Sequence, residues 1–137
     1  MTAPLGSLLF FAVWTVGLVA FGIGPYRVVM VLLRRALPNQ FPAETPHGPA
    51  WYRRVARAHL NCVENLPVFG AIVLVGHEMG LHEGLFATLA QIVAAARVGQ
   101  TCCHVASGRN LVVNVRFAFF ATQVACFLVM AGILAKA

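Results

Sequence analysis

The second hydrophobic stretch of the sequence contains a series of polar side chains. Arg57, Asn61, Glu64 and Asn65 are spaced at i, i+4, i+7 and i+8, so on a helix they share one face. Such groups are costly in lipid unless they are paired or hydrated. The spacing predicts either an internal Arg57–Glu64 pair that holds helices together, or a polar pocket for an anionic or zwitterionic ligand.

The next two stretches contain matching polar groups. Arg97, Gln100, Thr101 and His104 are spaced at i, i+3, i+4 and i+7 in the third stretch, and Arg116 lies about one turn into the fourth. A histidine that packs between helices, or an arginine whose head reaches the membrane surface, would account for single members of this set. Because three stretches direct polar groups toward the same membrane face, we favour a ligand site.

The composition requires lipid around these helices. Of the 137 residues, 60% are apolar and 10% are charged, whereas soluble proteins have roughly 25% charged residues. So few charges cannot cover the water-facing surface of a small domain. We therefore predict an all-α integral membrane domain over residues 1–137, a bundle of four spans at about 5–33, 55–75, 85–106 and 111–135. A kink is expected in the first span between Gly22 and Pro25.

The formal net charge of +6 predicts the orientation of this bundle. Arginines cluster around the first loop and in the third turn, while the second loop has neither Lys nor Arg. The positive-inside rule then places the first and third connections, and the polar cluster, on the cytoplasmic side of a bacterial inner membrane or an endoplasmic reticulum. Nucleic-acid binding is excluded because it needs a solvated basic surface.

No metal cofactor is expected. Cys102, Cys103 and His104 are consecutive, so on a helix they point in different directions and one ion cannot easily take all three. His77 and His82 occur with two glutamates in the second loop, where a solvated loop is the better interpretation.

The residues of the second stretch also resemble the motif of a known protein family. The sequence Arg-Ala-His-Leu-Asn at residues 57–61, followed by Glu64, Asn65 and Pro-Val-Phe at 67–69, resembles the second-helix signature of the membrane-associated proteins in eicosanoid and glutathione metabolism. Microsomal glutathione transferases are members. The chain length, the four spans and the basic first loop agree over nearly all of the sequence. The resemblance implies a homotrimer of four-helix subunits, with glutathione bound between subunits near the cytoplasmic face.

The resemblance also implies roles for individual residues. Arg116, which precedes an aromatic run, looks like the fourth-helix arginine that stabilises the glutathione thiolate and would be catalytic. Gln100 and His104 stand where many members have a His or Tyr and a second Tyr, and Phe120 stands near a tyrosine of some members. Glutathione contacts are implied for polar residues of the first three helices: Arg34, Arg57, His59, Asn61, Glu64, Asn65, Arg97, Gln100 and His104.

The expected function is that of a glutathione-dependent membrane enzyme. It would conjugate glutathione to a hydrophobic electrophile, or reduce a peroxide with it, through an arginine-stabilised thiolate. The expected partners are glutathione, a lipophilic second substrate, membrane lipid and further copies of the chain. Two alternatives remain open: a non-catalytic relative, and a small four-helix transporter that uses Glu64 as its intramembrane carboxylate.

Overall fold

A computed structural model describes residues 1–42, 46–106 and 108–137. These residues form helices and connecting turns, with no strand in the described part of the chain. The helices are α1 (Ala3–Leu32), α2 (Ala50–Glu78), α3 (Gly84–Ala106) and α4 (Asn110–Leu134). The all-α four-helix prediction is confirmed. Helix α2 extends beyond the predicted hydrophobic stretch at both ends, because its polar ends continue the helix outside the apolar segment.

Helix α1 changes its winding in the middle. An α-helical part, Ala3–Gly17, is followed by a π-helical turn, Leu18–Ile23, and a second α-helical part, Gly24–Leu32. Pro25 has no N–H to continue a regular ladder, and the predicted interruption takes the form of this wider turn. Gly22 lies where α1 meets α2, and a Cβ at this position would overlap the side chain of Val55.

Helix α3 contacts the other three helices, as α2 also does. Helices α1, α2 and α4 are each long and apolar enough to cross a membrane. Helix α3 has 23 residues, a sufficient length, but it includes Arg97, Gln100 and His104. All three side chains are buried against neighbouring helices. The polar side chains of this helix are therefore shielded from the surroundings.

The half of the bundle away from the start of α2 has an apolar core. The Phe69 ring lies between those of Phe11 and Phe127, with centroid distances of 5.7 and 5.9 Å. Ala90 and Met130 complete the packing between α3 and α4. Because this core fixes how the helices are rotated, it determines which faces of α2, α3 and α4 converge in the other half.

Candidate functional site

A cleft opens between α2, α3 and α4 in the half of the bundle where α2 begins, α3 ends and α4 begins. Its volume is about 290 Å³. One wall is polar and comes from α2 and α3, while α4 adds one guanidinium and an apolar wall. The lining residues are Arg57, Leu60, Asn61, Glu64, Gln100, His104, Val113, Arg116, Phe117 and Phe120. Such a cleft can hold a polar ligand beside a lipophilic one.

His104 connects the two sides of this cleft. Arg116 Nη1 lies 3.2 Å from His104 Nδ1, and the Asn61 carboxamide lies 3.0 Å from Nε2. A guanidinium only donates, so Nδ1 must accept and the ring proton must be on Nε2. A half-turn of the Asn61 amide would present its oxygen to that proton, but it would give up the hydrogen bond that Asn61 Nδ2 donates to the Arg57 carbonyl oxygen at 3.2 Å. His104 is thus a neutral imidazole that orients the Arg116 guanidinium.

Gln100 is the centre of a second, deeper network. Its Oε1 accepts one hydrogen bond from Arg97 Nη1 at 2.8 Å and another from Gln123 Nε2 at 3.1 Å. Arg97 is only 1% exposed, and its guanidinium lies 4.9 Å from the centre of the Phe11 ring. Arg97 therefore lies behind Gln100, in the bundle interior, and does not line the cleft.

Arg57 and Glu64 supply opposite charges to the cleft. Both side chains are exposed and both line it. Within the described residues, neither side chain has a hydrogen-bond or ion-pair partner. The internal Arg57–Glu64 pair, which was one interpretation of their spacing, is not formed here. Both charges are available to a ligand.

A family model described as the MAPEG family matches residues 2–136, essentially the whole chain. The chain belongs to the MAPEG family. No match was found among curated proteins. MAPEG proteins are membrane-embedded helical bundles and include microsomal glutathione transferases and related proteins of eicosanoid and glutathione metabolism. This MAPEG chain is an integral membrane protein of a glutathione-related family.

Three further residues that the MAPEG resemblance had implied lie away from the cleft. His59 Nδ1 is 3.2 Å from the carbonyl oxygen of Thr15, and His59 lines a separate cavity between α1 and α2. Asn65 donates to the backbone oxygen of Asn61 at 2.8 Å. Arg34 ends α1 with a left-handed backbone, φ 53°, and lines another surface cavity. Within one MAPEG subunit, six of the ten implied site residues line the cleft, and Arg34, His59, Asn65 and Arg97 do not.

The structure adds residues that sequence reasoning did not place at the site. Leu60 and Val113 line the apolar side of the cleft. Gln123 anchors Gln100, and its position seven residues after Arg116 in the fourth stretch was the available signal. Arg54 Nε donates to the Val105 carbonyl oxygen at 2.9 Å and so joins the start of α2 to the end of α3. Nothing in the sequence indicated this last contact.

Metal ligands are not assembled in the described part of this MAPEG chain, which has no group of three or more His, Cys, Asp or Glu suited to hold an ion. The His77 and His82 rings lie 4.7 Å apart at the opposite end of α2 from the cleft.

Proposed function

We propose that this chain is a glutathione-dependent membrane enzyme that conjugates glutathione to a hydrophobic electrophile, or reduces a peroxide with it. One observation carries the proposal. The Arg116 guanidinium, oriented by His104, lies in a cleft between a polar wall and the phenylalanines of α4. A cation held between a polar wall and an apolar wall can stabilise a thiolate that reacts with a lipophilic substrate.

The residues of the cleft fit the chemistry of glutathione. The tripeptide has two carboxylates, one ammonium group and one thiol. Arg57 and Arg116 offer guanidinium groups to anions, and Glu64 offers a carboxylate to the ammonium. Asn61 supplies an amide that suits a peptide group. The volume of about 290 Å³ is near the lower end of small-molecule sites, roughly 300–1,000 Å³, and a second subunit would enlarge and close the cleft.

Arg116 would increase the fraction of glutathione that is present as thiolate. A free thiol has a pKa of roughly 8.5, so only a few per cent is ionised at neutral pH. A guanidinium within hydrogen-bond reach lowers the pKa of the thiol, and the effect grows where water is excluded. Arginine keeps its proton, so it stabilises charge and does not act as a base. In conjugation, the sulfur forms a bond to carbon while the leaving group departs with the electrons of the broken bond.

The second substrate would enter from the lipid side along the α4 phenylalanines. Phe117 is 68% exposed and lines the cleft, and Phe120 lies one turn further along the same helix. An apolar molecule dissolved in the bilayer can therefore reach the cleft without passing through water. This route supports an electrophile or peroxide that is lipophilic.

We further propose a homotrimer in which residues 1–137 form one domain of four spans. Helix α3 would cross the membrane inside the bundle, since its polar side chains are buried. Arg34 and His59 lie outside their own cleft, which supports a role for them beside the cleft of a neighbouring subunit. The arginines at the start of α2 would face the cytoplasm by the positive-inside rule.

Calorimetric titration of the detergent-solubilised protein with glutathione tests the proposal. Turnover should be measured in parallel with a chloronitrobenzene and with an organic hydroperoxide. We expect saturable binding and glutathione-dependent turnover of at least one of the two probes. Lys136→Ala removes an exposed cation just beyond the end of α4 that lies away from the cleft; it is the control and should behave like the wild type. Binding without turnover would point to a non-catalytic relative, and the absence of binding would favour a transporter or another function. Either result contradicts the proposal.

A further inference from the structure

Arg97 is a charged group buried in the interior of a membrane bundle. Its Nη1 donates to Gln100, whereas Nε and Nη2 are buried without a hydrogen bond in the described residues, although the Cys62 thiol lies beside the guanidinium. Burying a guanidinium with so few partners is costly, and apolar residues commonly stabilise such positions better. The contact with Phe11 offsets only part of that cost. Stability alone is a weak reason for this residue, and its one strong hydrogen bond indicates another role.

The bond from Arg97 fixes which way the Gln100 carboxamide faces. Because a guanidinium only donates, the atom 2.8 Å from Nη1 must be the carbonyl oxygen of Gln100. Gln123 Nε2 donates to the same oxygen and also to the backbone oxygen of Phe119, 3.0 Å away, so it too is assigned without ambiguity. Two donors hold Oε1 toward the bundle interior. Because the amide is planar, its Nε2 is then directed away from the interior, toward the cleft. Gln100 is a lining residue of the cleft.

We propose that Gln100 donates a hydrogen bond from Nε2 to the sulfur of bound glutathione, and that Arg97 is the positioning residue that holds it in this orientation. The proposal rests on the proposed function. Hydrogen bonds in a chain polarise one another, so a cation on Oε1 makes the N–H of the same amide a better donor. The thiolate would then be stabilised by the charge of Arg116 from α4 and by a polarised amide from α3.

The decisive variant is Gln100→Glu, which is nearly isosteric with the wild type. One carboxylate oxygen still accepts from Arg97 and Gln123, so the buried network and the fold are retained. The other oxygen faces the cleft in place of Nε2, so a donor becomes a negatively charged acceptor. We expect the pH at which bound glutathione ionises, read from thiolate absorbance, to rise by at least about one unit, a roughly tenfold smaller thiolate population at neutral pH.

Two further variants separate positioning from general structural support. Gln123→Leu removes one inner donor but leaves the charge of Arg97 on Gln100, so we expect its thiolate titration to rise less than that of Arg97→Met. Arg97→Met removes the charge and keeps a long side chain. We expect its titration to move to higher pH and kcat to fall with little change in KM for glutathione, and Arg97→Lys to restore part of both.

The outcomes distinguish this inference from the proposed function. If folded Gln100→Glu titrates at the wild-type pH while Arg116→Ala does not, the inference is overturned and the proposed function stands. If glutathione bound to the wild type titrates like free glutathione, the proposed function has failed. Should Gln100→Glu not fold, Arg97→Met decides: a wild-type titration in that variant also overturns the inference.

Discussion

Arg116 on α4 and His104 on α3 are joined by a contact of 3.2 Å between Nη1 and Nδ1. The imidazole is the acceptor, so the guanidinium keeps its full charge and its remaining N–H groups for the cleft. Asn61 of α2 contacts the other ring nitrogen. The position of the Arg116 guanidinium thus depends on one side chain from each of the three helices.

The first prediction concerns Arg116→Ala. Loss of the cation should raise the pKa of bound glutathione toward that of the free thiol, so the thiolate is lost at neutral pH and returns as the pH rises. A shift of two units would lower the thiolate population roughly a hundredfold when the assay pH is below both values. Ultraviolet titration of the complex measures this directly. Arg116→Lys should recover only part of the effect, because an ammonium keeps the charge without the planar fork. Identical titrations of wild type and Arg116→Ala would show that Arg116 does not stabilise the thiolate. Its guanidinium would then only extend to the membrane surface.

The second prediction concerns the orienting role of His104. His104→Phe removes the acceptor for Arg116 and should lower kcat about tenfold, which is less than the roughly 100- to 1,000-fold loss when a charge-stabilising donor is itself removed. His104→Asn retains a short acceptor and should keep more activity. Glutathione affinity, measured by calorimetry, should change less than kcat in both variants. Equal activity of the Phe and Asn variants would show that the hydrogen bond to Arg116 is unimportant.

The third prediction concerns the opposite charges on α2. Arg57→Ala and Glu64→Ala should each weaken glutathione binding by about 1–3 kcal/mol, the range for losing a hydrogen bond to a charged group. Neither side chain has a described partner in the free protein, so the thermal stability of both variants should stay close to that of the wild type. Glu78→Ala, an exposed carboxylate at the other end of α2, is the control for net charge. Unchanged affinity in both cleft variants would move the glutathione site elsewhere.

The fourth prediction is the oligomeric state. We expect a homotrimer, with a protein mass of three chains once bound detergent is subtracted. Arg34→Ala should then weaken glutathione binding although Arg34 lies away from the cleft of its own subunit, because it would act on a neighbour. A detergent-corrected mass that shows only monomer or dimer would count decisively against this assembly.

The fifth prediction tests helix packing by comparing two glycines. A Cβ at Gly99 would overlap the Phe119 ring of α4, so Gly99→Val should destabilise the protein by about 1–3 kcal/mol, the range for overpacking. Gly17 has nothing within 4 Å of an added Cβ, so Gly17→Ala should be neutral or slightly stabilising. Thermal unfolding in detergent compares the two. Equal stability of both variants would mean that α3 and α4 do not need this close approach.

Much of the fold was predictable from hydrophobic periodicity, because lipid requires long apolar helices and the sequence has four such stretches. The polar residues that share a face with Arg57 were also predictable, since helical spacing alone brings Asn61 and Glu64 together. The limits of α2 were less predictable, because its polar ends continue the helix beyond the apolar segment that marks the span.

Spacing alone could not predict which polar side chains of α3 face the cleft and which face the bundle interior. Arg97 and Gln100 share a face of α3, yet Arg97 faces the interior and Gln100 reaches the cleft. The difference depends on how α3 is rotated against α1 and α4, which is determined by tertiary packing. Arg34 and His59 have a similar explanation: their sequence motifs were recognisable, but a single subunit does not bring them to its own cleft.

The exposure of Phe117 implies that the membrane itself would help to select the second substrate. A molecule that reaches the cleft through lipid is present at a concentration set by its partition coefficient and not by its total amount in water. Each methylene group contributes about 0.8 kcal/mol to partitioning, which raises the local concentration roughly fourfold. Turnover measured against bulk concentration would therefore favour long-chain substrates even if the cleft bound all chain lengths equally. The same rate would fall when excess lipid dilutes the substrate within the bilayer plane.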